Sequence, residues 1–160
     1  MGRLRRSGAR RALADTVRGT IGDLIEKDRA VADEVGRCFL EYEAALVAQD
    51  HVALDAWFWD DPRVVRFGIS EIQYGARAVA EWRRHSPHVG DDRALRNVQV
   101  LPLGNDVAVV STEFVRDDGL ALGRQTQVWT RIDQQWRIAH AHVSSVDSSA
   151  CSVTGQRREG

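Results

Sequence analysis

Few residues in this chain have the type and spacing to do chemistry. Tyr42 lies four residues after Cys38 and four before Leu46, so on a helix the three share one stripe and the phenol points inward. A buried phenol usually finds a hydrogen-bond partner. Tyr42 is therefore either a core tyrosine satisfied by a backbone carbonyl, or a group that donates a proton to, or orients, a small substrate's carbonyl or carboxylate. Arg66 follows the Asp60-Asp61-Pro62 turn and shares a strand face with Val64. A guanidinium facing the helices needs an anion. The chain offers Asp60, Asp61 or Glu71 for an ion pair. Alternatively a substrate carboxylate accepts two parallel bonds from the planar fork, each worth roughly 1.5–3 kcal/mol net.

Gln125, Gln127 and Trp129 fall on one face of a later strand. Gln127 beside a tryptophan suits a pocket wall, and equally an exposed strand position; with Arg83 it is a candidate substrate-binding residue. On the last strand Ala139, Ala141 and Val143 form a small apolar face that leaves room for a cavity. Trp136, Ile138, His140 and His142 are expected on the opposite, outer face, where two sheets could pack in a dimer. Two histidines on one strand face can ligate a metal, but no third ligand lies nearby, so His140 and His142, like His85 and His88, are expected to be structural, with no metal and no cofactor. No Ser-His-Asp order, phosphate-binding glycine loop or dinucleotide fingerprint is present. Asp60 and Asp61, just before Pro62, are turn and cap residues. Glu113, by alternation alone, is a possible inward carboxylate base.

Local patterns supply the elements that must position these groups. From Asp28 to about Gln49, Val31, Val35, Cys38, Phe39, Tyr42 and Leu46 recur at helical spacing, with Asp28 as the expected N-cap. A short helix is predicted over His51–Trp57, strands over Arg63–Gly68 and Ile72–Tyr74, and a third helix over Ala76–Arg84. Four strands follow, Arg96–Leu103, Asp106–Val115, Leu120–Ile132 and Gln135–Val146. Gly104-Asn105, Asp117-Asp118-Gly119 and Asp133-Gln134 supply the turns between them, so an antiparallel meander is the economical arrangement. The fold class is α+β, with helices on one face of a curved sheet.

The 160 residues suffice for one core, and 43% hydrophobic with 28% charged residues is a globular balance. No apolar run reaches the length of a membrane span. A net charge of -1 gives no general attraction to nucleic acid. Two cysteines, Cys38 and Cys151, do not make a disulfide framework. Residues 1–22 form an Arg-rich arm without the apolar stretch of a secretory signal, so a cytoplasmic location is expected. The domain is expected over 23–147 and a polar tail over 148–160.

FLEYEAAL, FWDDPRVVRFG, EIQYG, AVAEWRR, GRQTQVWTR and WRIAHAHVSS follow in order between Phe39 and Ser145. Together they resemble the AtzH-like and HpxZ-like branch of the SnoaL-like, nuclear transport factor two-like superfamily. The resemblance implies a cone-shaped, cystatin-like fold and a homodimer. It also implies association with amidases in nitrogen-compound catabolism, one line being proposed to convert dicarboxyurea to allophanate. In that line the proposed catalytic residues match Tyr42 and Arg66. The chain departs from the pattern at its basic start and at Ser86, where the family tends to have a second arginine. The function so implied is a hydrolase or decarboxylase acting on a small carboxylated urea or amide such as dicarboxyurea or oxalurate. The alternatives are a non-catalytic dimeric carboxylate-binding or amidase-accessory module and an isomerase or cyclase of the ketosteroid-isomerase type.

Overall fold

A computed structural model describes residues 5–90, 92–115, 121–152 and 154, with side chains from residue 24 onward. The first helix, α1 (Arg5–Val47), buries Val31, Val35, Phe39 and Tyr42 of the predicted stripe and Ala45 beside it, while Cys38 and Leu46 are half-buried. Asp28 lies inside it and is not its N-cap. A cap contributes only about 1 kcal/mol, and no proline precedes Pro62 to stop the helix. The stretch expected as an arm is thus helical from Arg5. Helix α2 (His51–Trp57) is capped by Asp50, whose carboxylate accepts from the Ala53 N–H at 3.0 Å. Helix α3 (Ala76–His85) begins where Gly75, at φ 89°, turns the chain back from the sheet.

The strands are β1 (Val65–Phe67), β2 (Ile72–Tyr74), β3 (Ala94–Pro102), β4 (Val107–Val115), β5 (Ala121–Ile132) and β6 (Gln135–Asp147). They form one six-stranded sheet in the order β2-β1-β6-β5-β4-β3. The predicted meander runs from β3 to β6, and β1 adds to β6 in parallel. Asp133 and Gln134, both at positive φ, make the two-residue turn that the right-handed strand twist favours. The three helices cover one face of this mostly antiparallel sheet, and Val35, Phe39, Leu54, Val64, Val79, Trp129 and Ile138 meet in the core between them.

Register places the functional candidates. Gln73, Arg66, Ala141, Gln127, Val110 and Val100 are successive cross-strand partners, so they form one row on the face beneath the helices. One expectation fails here. Val128 pairs with His140 but Trp129 pairs with Ile138, leaving Ala139 as an extra residue in β6. The bulge reverses the alternation, and Trp136 and Ile138 point into the core, 3% and 0% exposed, rather than onto the outer face. His140 and His142 remain outside, each edge-on to the Phe67 ring.

Candidate active site

Tyr42 projects from α1 onto the inner face of the sheet, 6% exposed. Phe58 and Trp129 flank its ring edge-on, with centroids 6.4 Å away in both cases. These contacts fix the ring without engaging its oxygen, and among the described residues the hydroxyl has no hydrogen-bond partner. Burial pushes the phenol above its usual pKa. Glu43 adds to that rise, while the nearby charges of Arg66, Arg83 and Arg93 oppose it. The phenol is therefore protonated at neutral pH, with cations close enough to stabilise a phenolate.

Arg66 reaches inward from β1. Its Nη1 donates to Glu71 Oε1 and to Gln73 Oε1, both at 2.9 Å, and its guanidinium lies 4.5 Å from the centre of the Trp82 ring. Of the three acids the sequence offered, Glu71 is the one that pairs. Asp61 instead binds Arg63 and is held at a pKa of about 2 by that side-chain hydrogen bond. Glu71 balances two effects: burial would raise its pKa, but the bonds from Arg66 and Ser70 bring it below the ordinary value.

Arg83, from α3, is 7% exposed. It donates to the Asp55 carboxylate and lies over the Phe58 ring, 5.1 Å from its centre. Burial lowers its pKa, and Tyr42 and Asp55 oppose that shift. Gln127 is 1% exposed, not a surface glutamine, and accepts from the Trp129 indole N–H at 3.0 Å. The predicted residues thus come from α1, β1, α3 and β5 to the helix-covered face. A cleft of about 280 Å³ between α2 and α3 is lined by Phe58 and Arg83 among others, but Tyr42 and Arg66 do not line it. Glu113 does not reach this face: β4 buries Ala108, Val110, Thr112 and Phe114, so Glu113 points to the outer side, where Asn97 donates to it. The inward base that an isomerase reading required is not Glu113.

A second buried polar cluster escaped the sequence. Glu43, one residue after Tyr42, accepts from Gln125 Nε2 at 2.6 Å and from Arg93 Nε at 3.0 Å. Arg93 also donates to Gln125 and stacks on Phe114, with its guanidinium 3.7 Å from the ring centre. The available signal was Glu43 at a four-residue step from Phe39, inside the apolar stripe. Asp55 and Gln73, which hold the two site arginines, carried no signal beyond their places in a short helix and a short strand.

An AtzH-like family model matches residues 24–149, which include every residue of the site. The chain belongs to the AtzH-like family. Two solved structures agree with that membership, each at 42% identity with a TM-score of 0.71 and covering 74% of this chain. One is a protein of unknown function from Pectobacterium atrosepticum, covered over 92% of its length. The other is a cystatin-like fold protein from Burkholderia xenovorans, covered over 93%. A nuclear transport factor two-like protein from Pseudomonas putida, 20% identical with a TM-score of 0.61, covers 72% of this chain and 87% of its own and shares the fold. No curated protein matches the chain. In this AtzH-like protein the fold expectation from the sequence therefore holds at the level of family and architecture.

Proposed function

We propose that this AtzH-like protein is an enzyme that releases carbon dioxide from a small N-carboxylated urea or amide. The observation that carries it is Tyr42, a buried side chain whose hydroxyl is protonated, lies near two inward arginines and makes no hydrogen bond to a protein group among the described residues. Arg66 orients a substrate carboxylate, and Arg83 and Gln127 contribute to binding. Tyr42 passes its proton to the substrate nitrogen; the bond between that nitrogen and the carboxylate carbon breaks, its electron pair stays on nitrogen, and carbon dioxide leaves. The phenolate, stabilised by the nearby guanidiniums, regains a proton from solvent. Such a step needs no activated water, which suits a site whose groups are a phenol, guanidiniums and an amide.

Purified protein incubated with dicarboxyurea and oxalurate, with carbon dioxide and ammonia followed over time, tests this. Carbon dioxide from dicarboxyurea is expected. Tyr42→Phe should slow its release by roughly 10²–10⁴-fold, the usual contribution of a positioned proton donor, without unfolding the protein. Arg66→Lys, which keeps the charge but not the fork, should mainly lower kcat/KM. No carbon dioxide from dicarboxyurea, or full activity in both variants, would overturn the proposal.

A binding-only module is the second reading, favoured by the ion pairs that Arg66 and Arg83 already make with Glu71 and Asp55; it predicts ligand affinity without turnover. In either case we place the protein in the cytoplasm as a homodimer formed through the outer sheet face, where Ile72 and Tyr74 stand 63% and 69% exposed. An amidase is the natural consumer of the product. Sedimentation showing only monomer at micromolar concentration would refute the dimer.

A further inference from the structure

Two buried glutamines, Gln73 at 5% and Gln127 at 1% exposure, face the helix-covered side of the sheet with half of their hydrogen-bonding capacity unused. A glutamine amide accepts through its oxygen and donates through its nitrogen, and its neighbours decide which end points where. Here both neighbours can only donate. The Trp129 indole N–H meets Gln127 Oε1 at 3.0 Å, and Arg66 Nη1 meets Gln73 Oε1 at 2.9 Å. An indole N–H and a guanidinium have no lone pair to offer an NH2 group, so neither amide can turn over without losing its bond. Each keeps its oxygen towards its partner and leaves the two N–H donors of Nε2 free.

Those nitrogens have no protein acceptor among the described residues, yet they are not sealed: the buried polar atoms without partners are His51 Nδ1 and Trp136 Nε1. Gln125, two residues before Gln127 on β5, makes the contrast. Its oxygen accepts from Arg93 and its nitrogen donates to Glu43, so both of its ends are used. Register brings the open amides to one row, because Gln73, Arg66, Ala141 and Gln127 are successive cross-strand partners. With strands about 4.8 Å apart, Arg66 and Gln127 stand about 10 Å from each other, and Ala141, the residue between them, is a single methyl group. The nearest carboxylate in the network, that of Glu71, is already taken up by Arg66 and Ser70. What the row offers a ligand is therefore donors.

We infer that Trp129 is a positioning residue and that Gln73 and Gln127 are specificity-determining residues: the indole and Arg66 hold the two amides as donors, so the space over Ala141 takes a ligand by its oxygen lone pairs and rejects one that brings an N–H there. Arg66 meets the ligand's charged end, and Gln127 donates to an oxygen farther along it. Two ligands of the same shape are told apart by this polarity. Every acceptor finds a donor, whereas an N–H finds only other donors and is left unpaired in a buried site, which costs more than a missing contact would. The inference rests on the proposed function for the place of the ligand, but not for the reaction.

Two probes of equal charge and nearly equal shape test it on the full chain: monomethyl malonate, whose far end is an ester, and N-methylmalonamate, in which an N–H replaces the ester oxygen. In calorimetric titration the wild type should bind the ester more tightly by on the order of tenfold, the worth of about one hydrogen bond. Trp129→Phe keeps an aromatic ring beside Tyr42 but removes the indole N–H. Gln127 can then turn its oxygen to the ligand, so the amide probe should gain severalfold while the ester loses; a tryptophan that only filled space would weaken both alike. Gln127→Glu still accepts from Trp129 but sets an oxygen where Nε2 stood, and should invert the preference. Its added charge acts equally on the two probes, and it is the decisive variant if Trp129→Phe does not fold. Gln73→Glu, which keeps an acceptor for Arg66, should shift the ratio in the same direction. No ester binding by the wild type, equal affinities for the two probes, or an unmoved ratio in any of the folded variants would overturn the inference. Neither probe has a nitrogen–carboxylate bond to break. An inverted ratio without carbon dioxide from dicarboxyurea would therefore remove the proposed reaction and keep the donor-lined site, and carbon dioxide release with an unmoved ratio would keep the reaction alone.

Discussion

Glu43 brings a carboxylate into the core, 5% exposed, where Arg93 and Gln125 hold it. Glu43→Gln would leave the Arg93 guanidinium buried without its counter-charge, and breaking such a pair costs about 3–5 kcal/mol. Urea denaturation should show a loss of that order; an unchanged midpoint would mean that solvent already screens the pair. Tyr42, its chain neighbour, was legible in the sequence because Cys38, Tyr42 and Leu46 settle its direction within two helical turns. The role of Glu43 was not, because its partners lie fifty and eighty-two residues further along. Arg66 falls between these cases. Its inward face followed from alternation, and Glu71 was one of three acids that composition allowed.

Among the elements, the β1–β2 connection depends on one small residue. A Cβ on Gly68 would sit 1.7 Å from Glu71 Oε1, the oxygen that accepts from Arg66. Gly68→Ala must therefore expel the carboxylate and loosen Arg66, with an expected loss of roughly 1–3 kcal/mol in stability, the penalty for a charged group left without its partner. In Glu71→Ala the obstacle is gone, so adding Gly68→Ala should cost much less there. Thermal unfolding of the two single variants and the double variant checks this, and strict additivity would contradict it. Helix periods and turn residues made nearly all the strands and helices readable to within a few residues. The faces of Trp136 and Ile138 were not, because the Ala139 bulge arises from pairing with β5 and leaves no mark in the β6 pattern itself. The start of α1 was missed for a related reason: Asp28 permits a cap, but nothing upstream forbids further helix.

For the whole molecule, the α+β architecture was the most legible feature, since three helical patterns followed by regular turn-bounded strands leave few other layered arrangements. Deleting residues 1–18 should change the melting temperature by no more than about 2 °C. The first buried side chain described on α1 is Val31, and Leu24 and Ile25 are 56% and 59% exposed. A large fall would show that this end of α1 packs on something. Acid sensitivity should come partly from the outer face. Burial first, and the neighbouring His142 second, hold His140 below the ordinary histidine pKa of 6.5. As pH falls, the unfolded chain takes up this proton before the folded one does. Stability from this group is therefore intact above about pH 7 and declines as pH drops through 6.5 towards the folded value. Thermal melts between pH 7.5 and about pH 5.5 should show that limb, and His140→Gln should flatten it.

Arg66 pairs in parallel with Ala141, on the last strand of the sheet. The growing chain therefore makes the tyrosine, both arginines and all three helices well before it makes the strand that supports Arg66. A three-residue β1 beside a three-residue β2 cannot persist alone as a hairpin, so Arg66 has no fixed direction until β6 leaves the ribosome. Nascent chains stopped after β5 should already carry helical structure yet fail to grip a carboxylate through Arg66. Synthesis itself thus orders assembly, with ligand competence arriving last and only in chains that have been translated through β6.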